Sequence, residues 1–209
     1  MEGILDLYTE EYSAERPLVC MDETSKQLIS ETRRPIDAKP GKKRAIDHEY
    51  ERNGTRNLFL FFSPSKQWRH VKVTERRTKV DWAQAMKELS DKHFKEAEKI
   101  IVVMDNLNTH NGSSFYEAFE PEEARRLCNR FEFHYTPKHG SWLNMAEIEL
   151  SVLGKQCLNQ RIANPETLKK QVRAWQKRRN HCNCTINWQF KTVDARIKLK
   201  RLYPKINVC

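Results

Sequence analysis

Two aspartates in this chain each follow a short apolar run: Asp22 comes after "LVCM" and Asp105 after "IIVVM". Side chains just beyond the carboxyl ends of parallel strands line the usual ligand crevice of an open sheet, so two such aspartates are placed to meet. Asp also caps the turns that follow strands, and either residue taken alone fits that reading. Together they point to a hard divalent cation. Mg²⁺ and Mn²⁺ prefer oxygen ligands, and a pair of ions about 4 Å apart can activate a water or a 3′ hydroxyl while stabilising the leaving oxygen of a phosphodiester.

Two carboxylates are a thin supply for two ions. The segment "KHGSWLNMAEIEL" (138 to 150) offers a third in Glu147 or Glu149. On a helical wheel Met145, Ala146, Ile148, Leu150, Val152, Leu153 and Cys157 form a broad apolar arc. Glu147 lies opposite it with Ser151 and Gly154, whereas Glu149 falls inside it. A Glu outside the arc can be merely solvated, and one inside can be anchored by an Arg. The small residues beside Glu147 would allow a partner surface to approach, a mild preference that leaves both open.

The elements needed to carry these residues are legible in outline. Residues 2 to 13 have the spacing of a short helix, closed by Pro17. "PLVCMDET" reads as a short buried strand, and 30 to 57 as an exposed basic loop or irregular ribbon. "NLFLFFS" (57 to 63) and "WRHVKVTE" (68 to 75) make a hairpin. A helix is expected over 80 to 98, with Trp82, Ala85, Met86, Leu89 and Phe94 buried. "KIIVVMDN" (99 to 106) has the continuous apolar character of a central parallel strand. A helix broken at Pro121 spans 113 to 130, and "FEFHY" is a further strand. Helices follow over 144 to 159 and 165 to 179, the latter opened by Asn164 and Pro165, and a basic helix over 192 to 201. The expected class is α/β, a mixed central sheet flanked by helices. Trp68, Trp82, Trp175 and Trp188 are assigned to the core rather than to base-stacking platforms; Trp142 is left open between the two.

The chain has 209 residues and a formal charge of +10. Residues 1 to 154 carry 24 Lys/Arg against 26 Asp/Glu, and residues 155 to 209 carry 14 against 2. So local an excess favours a polyanion. Lys169, Lys170, Arg173, Lys177, Arg178 and Arg179, with Arg196, Lys198, Lys200 and Arg201, read as a phosphate-contacting surface rather than an ordinary solvated face. Arg33, Arg34, Lys39, Lys42, Lys43 and Arg44 form a second candidate, and Lys138 a third point of contact. No signal peptide or membrane-length apolar run is present, so a cytoplasmic protein is expected, with no membrane partner. The 6 cysteines lack framework spacing, which fits reduced thiols. "NHCNC" offers His181, Cys182 and Cys184 as zinc ligands, but structural zinc needs four, and a surface loop is the better reading.

Three stretches, "VVMDNLNTH" (102 to 110), "YTPKHGSWLNMAEIELSVL" (135 to 153) and "INWQFKTVDARIKLKRLYP" (186 to 204), with "MDET" near the start, resemble the catalytic domain of IS630 and Tc1/mariner superfamily transposases. The resemblance implies an RNase H-like fold in which Asp22, Asp105 and Glu147 bind two Mg²⁺ (or Mn²⁺) ions and cut and join DNA. It places Asn106 and His110 where they would orient substrate or a water, and His139, Trp142 and Asn144 beside the DNA backbone. Domain bounds follow: a short helix or linker over 1 to 16, the catalytic domain over 17 to 180, and a basic extension packed on it over 181 to 209.

Three departures accompany the resemblance. The 41 residues between Asp105 and Glu147 exceed the family's usual interval. Glu149 stands where an apolar or aromatic residue is usual, which would weaken helix packing. Paired helix-turn-helix modules do not precede Asp22, so the expectation is a catalytic half alone: a truncated copy, or one product of a split reading frame. The implied partners are double-stranded DNA and a self-dimer or a separately encoded helix-turn-helix protein, in a bacterial, nucleoid-associated setting. The rival readings are a related RNase H-like nuclease and a non-catalytic DNA-binding remnant.

Overall fold

The computed structural model describes residues 1–43 and 45–203; Arg44 lies outside them, as do 204 to 209. The elements run α1 (Glu2–Leu7), β1 (Leu18–Glu31), β2 (Tyr50–Ser63), β3 (Trp68–Thr74), α2 (Lys79–Glu88), β4 (Ile100–Met104), α3 (Ser113–Ala118), α4 (Pro121–Arg130), β5 (Phe131–Tyr135), α5 (Met145–Leu153), α6 (Pro165–His181) and α7 (Thr192–Lys198). The sheet order is β3-β2-β1-β4-β5. The first three strands are antiparallel, and β1, β4 and β5 are mutually parallel. This is the mixed α/β sheet of an RNase H-like fold.

Each face of the sheet carries its own core. Cys20, Leu58, Leu60, Phe62, Ile101 and Val103 pack against α1, α5, α6 and α7. Val19, Met21, Phe59, Phe61, Ile100, Val102 and Met104 pack against α2, α3 and α4. All five residues of β4 are buried, as its unbroken apolar run predicts. Full burial of each such side chain contributes about 1.5–3 kcal/mol, so the end of β4 is a firm point from which to hang Asp105.

Local chemistry sets the helix boundaries. Thr78 and Asp81 form a capping box at α2, Pro121 opens α4, and Asn164 accepts from Thr167 N at 2.8 Å to start α6. Three expectations need correction. β1 does not stop after Thr24 but runs to Glu31, and β2 begins at Tyr50, so Ser25 to Asn57 includes a two-stranded ribbon. Apart from Leu28, which is buried in the core, its residues are mostly polar and partly exposed, without the alternation that marks a strand, and its register rests on backbone pairing. The helix expected to reach residue 98 ends at Glu88 and passes into a π turn over Leu89–His93. The helix after Asn144 likewise yields to a π turn over Gly154–Leu158.

Both flanking segments lie on the α5 face. Ile4, Leu5 and Leu7 of α1 are buried there, Tyr8 Oη donates to Leu143 O at 2.6 Å, and Arg196 of α7 pairs with Glu2 at 2.8 Å. Among the described residues no helix is long and apolar enough to cross a membrane.

Candidate active site

Alternation along the strands decides which carboxylates share a face. Cys20 of β1 and Val103 of β4 point into the α5-side core, so Asp22 and Asp105, each two residues further on, point the same way. The parallel register runs from Leu18 opposite Ile101 to Cys20 opposite Val103, and its continuation sets Asp22 beside Asp105. Asp22 is therefore not at a strand end as the sequence suggested. It sits inside β1, level with the end of β4.

Helix α5 supplies the third carboxylate. Asn144 caps it, accepting from Ala146 N at 3.1 Å, while its Nδ2 donates to Met21 O at 2.8 Å. One buried side chain thus starts the helix and ties that start to the residue before Asp22. Glu147 lies in the first turn of α5. Beyond it, Ser151 and Gly154 line a cavity of about 470 Å³ with Thr24, Ser25, Lys26, Lys155, Leu158 and Asn159, the open approach that small residues on the Glu147 face suggested.

Burial pushes Asp22 up to about 7, against the hydrogen bond it accepts from Glu23 N at 2.8 Å, and the nearby Glu23, Asp105 and Glu147 carboxylates push it further. A cation bound among such acids would relieve that repulsion. The donor set, all carboxylate oxygen, suits a hard divalent ion.

Asp105 has a second attachment. His110 Nδ1 stands 2.6 Å from Asp105 Oδ1, and its Nε2 3.2 Å from Glu23 Oε2, close enough for an ion pair but poorly aligned for a hydrogen bond. Burial alone would lower the pKa of the ring. The hydrogen bond to Asp105 and the close Glu23 and Asp105 carboxylates outweigh it and raise the imidazole to about 9. His110 is buried and stacks on Trp82 at 5.8 Å, so its ring holds Asp105 from the core side. Glu23, on the opposite face of β1 from Asp22, is a participant that the sequence reading passed over; the period-2 alternation of β1 was the available signal.

The remaining candidates separate. Asn106 is exposed and, with Glu23, Arg77, Leu107, Asn108 and Thr109, lines a cavity of about 310 Å³. Lys138 and His139 are exposed on the loop before α5, His139 at φ 63. Trp142 is 41% exposed and meets Phe190 edge-on at 5.6 Å. Asn144 is buried and committed to the backbone. Trp82 and Trp175 are buried, and Trp68 and Trp188 pack at the core margins.

Of the basic residues, Lys169, Lys170, Arg173, Lys177 and Arg178 are exposed along α6, as are Arg33, Arg34, Lys42 and Lys43 between β1 and β2. Arg33 pairs with Asp47 at 3.4 Å. Arg179 is the exception and is not a free phosphate contact. Its Nε and Nη2 lie 2.7 and 3.2 Å from the two oxygens of Glu149. Arg69 Nε is 2.9 Å from the same carboxylate, off the hydrogen-bonding angle. Glu149 is fully buried and clamps α5 to β3 and α6, so the packing defect expected from its charge does not arise. Cys182 is exposed and Cys184 half-buried, and His181 forms no metal-ligating cluster with them among the described residues.

The mixed sheet thus carries Asp22 inside β1, Asp105 just past the end of β4 and Glu147 in the first turn of α5, with the Asp105 and Glu147 charges felt at Asp22, and it groups Asp105 with Glu23 and His110 closely enough to share an ion. Residues 17–169 match the family described as DDE superfamily endonuclease, and the chain belongs to that family, whose chemistry uses divalent metal. Among solved structures it is similar to the Mos1 strand transfer complex, at 16% identity and a TM-score of 0.57 over 86% of this chain and 55% of that one. The Mos1 mariner paired end complex with Mn matches at 16% identity and 0.56, over 87% and 56%. The complex with Mg matches at 15% and 0.52, over 86% and 56%. The chain thus spans a little over half the length of those transposase chains. No curated protein matches it.

Proposed function

We propose that this chain is the catalytic part of a Tc1/mariner-type DNA transposase, cleaving DNA strands and joining them to a target. The observation that carries the reading is the parallel β1–β4 register, whose continuation sets Asp22 beside Asp105, together with Glu147 in the first turn of α5, a helix whose start Asn144 ties to Met21 O. The family supports it, as do the Mos1 complexes, which are described with transposon ends and with Mn or Mg.

Asp22, Asp105 and Glu147 would hold two Mg²⁺ or Mn²⁺ ions. Such ions lower the pKa of an attacking hydroxyl or water and offset charge developing on the phosphate. The chain's own residues supply the geometry. His110 restrains Asp105 from the core side, and Asn144 fixes the start of α5 so that Glu147 faces β1. Exposed Lys and Arg on α6, in the β1–β2 connection and at Lys138 would hold the phosphate backbone. Asn106, His139 and Trp142 stand at the exposed rim, where substrate passes.

The test is strand cleavage of transposon-end duplex in Mg²⁺ or Mn²⁺. Asp105→Asn should abolish nicking and leave retention on a DNA column nearly unchanged. Equal loss of cleavage, binding and fold would sink the assignment. Cleavage of an RNA–DNA hybrid, with none of end duplex, would reassign the chain to an RNase H-like nuclease.

A further inference from the structure

A second group of metal-ligating side chains lies away from the carboxylates, where edge strand β3 meets the end of α2. His70 projects from β3, Glu88 is the last residue of α2, and His93 closes the π turn that follows. One ligand atom from each lies within 4.8 Å of the other two. The π turn creates the arrangement. An α-helix at 3.6 residues per turn would send residues five apart to different faces, whereas the wider i to i+5 turn brings Glu88 and His93 round to the same side. The signature of that turn is the bond from Phe94 N to Leu89 O at 3.1 Å.

Both imidazoles are short of partners. His70 Nδ1 and Nε2 and His93 Nε2 are buried and make no hydrogen bond among the described residues. His70 Nε2 is 3.9 Å from Glu88 Oε1, beyond hydrogen-bond reach. Buried nitrogens left without partners are costly and rare, so three together call for an explanation. Packing accounts for the rings: Trp68, His70 and His93 lie together with centroids 4.3 to 6.2 Å apart. It does not account for the nitrogens. Ligand atoms about 2.1 Å from one ion stand roughly 3.4 Å apart, so small side-chain rotations would bring these three into coordination distance.

We propose that His70, Glu88 and His93 form a binding site for Zn²⁺ or a similar borderline transition metal, separate from the carboxylates that take Mg²⁺ or Mn²⁺. Two imidazoles and one carboxylate select zinc over the hard alkaline-earth ions. The metal takes Glu88 Oε1, while Lys72, 3.0 Å from Oε2, keeps the other oxygen. Lys92, 3.2 Å from Oε1 and 70% exposed, swings into solvent. A cavity of about 560 Å³, closed on its far side by Lys169, Val172, Arg173 and Gln176 of α6, leaves the fourth position open to water or a small anion. Burial, with each ring's cationic surroundings, pushes His70 down to about 4 and lowers His93, which keeps both rings in the neutral form that ligates metal. Bound metal would tie β3 to α2, elements joined here chiefly through side chains.

The experiment is titration of Zn²⁺ into the full chain in excess Mg²⁺, with Co²⁺ absorption as a second probe. Wild type and Asp105→Asn should each bind one equivalent and develop visible Co²⁺ bands. His93→Gln and Glu88→Gln should lose affinity by more than the roughly 10- to 100-fold that removal of a supporting group costs at metal sites, with unchanged circular dichroism. Should His93→Gln fail to fold, Glu88→Gln, at the partly exposed end of α2, carries the same arm. Three results would overturn the assignment: no stoichiometric zinc in wild type, wild-type uptake in the folded ligand variants, or loss of zinc in Asp105→Asn.

Discussion

Replacing Glu149 by Leu should cost more stability than any single change at the three carboxylates, although Leu is the more natural occupant of a buried helix face. Glu149 has no exposure, and neither does the side chain of Arg69 that it pairs with. Arg179 keeps 14% of its side chain exposed and can turn to water when the carboxylate goes. Arg69 cannot. It would retain Asn180 Oδ1 at 3.1 Å, Gln67 O at 3.4 Å and the Cys184 carbonyl, but no counter-charge. Breaking a buried pair by removing one partner costs about 3–5 kcal/mol, a large share of the roughly 5–15 kcal/mol total stability of a typical domain. Urea unfolding followed by circular dichroism reads this as a lowered midpoint at unchanged slope. The double variant Arg69→Met with Glu149→Leu removes both charges and should recover most of the loss. A loss below about 1 kcal/mol for Glu149→Leu, or a double variant no better than the single, would refute the account.

Four further outcomes follow from the same contacts. His110→Gln should raise the Mg²⁺ concentration needed for half-maximal cleavage and leave DNA retention unchanged, because His110 holds Asp105 and is itself buried; metal titration of nicking reads this. Asn144→Ala removes a helix cap and the bond to Met21 O, and thermal or urea unfolding should show a loss of about 1–2 kcal/mol. Lys170→Ala with Lys177→Ala, seven apart on the exposed side of α6, should reduce the slope of log binding constant against log salt by about 2, measured by fluorescence anisotropy on duplex DNA. Hydrogen bonds from Arg126 and Lys87 hold Glu123 down at about 2. A depressed carboxylate pKa adds stability above the unfolded value and loses it as pH falls through the folded one, so Glu123→Gln should flatten the acid loss of stability between about pH 4.5 and 2.

Much of the framework was legible because it is local. The apolar run ending at Met104, the Pro121 break and the Asn164–Pro165 start each rest on a few adjacent residues, and each stands where the pattern puts it. The ribbon over Ser25 to Asn57 was not legible, because its strands are mostly polar, with the buried Leu28 giving no alternation, and its pairing partners lie far apart in the chain. The early end of α2 escaped for a related reason: the apolar spacing continues through the π turn, and only the i to i+5 bond reveals it.

The sequence by itself determined which residue types could do chemistry and, through alternation and helical period, which face of its own element each would occupy. It could not choose between Glu147 and Glu149 from the wheel. That choice depends on Arg69, which lies 80 residues earlier in the chain, and on Arg179, which lies 30 residues later. Nor could it join His70 to Glu88 and His93. Only the tertiary structure shows the Arg69–Glu149–Arg179 clamp and the His70–Glu88–His93 group, because a buried charge or an unpaired ring nitrogen is defined by what packs against it, and those partners come from distant elements.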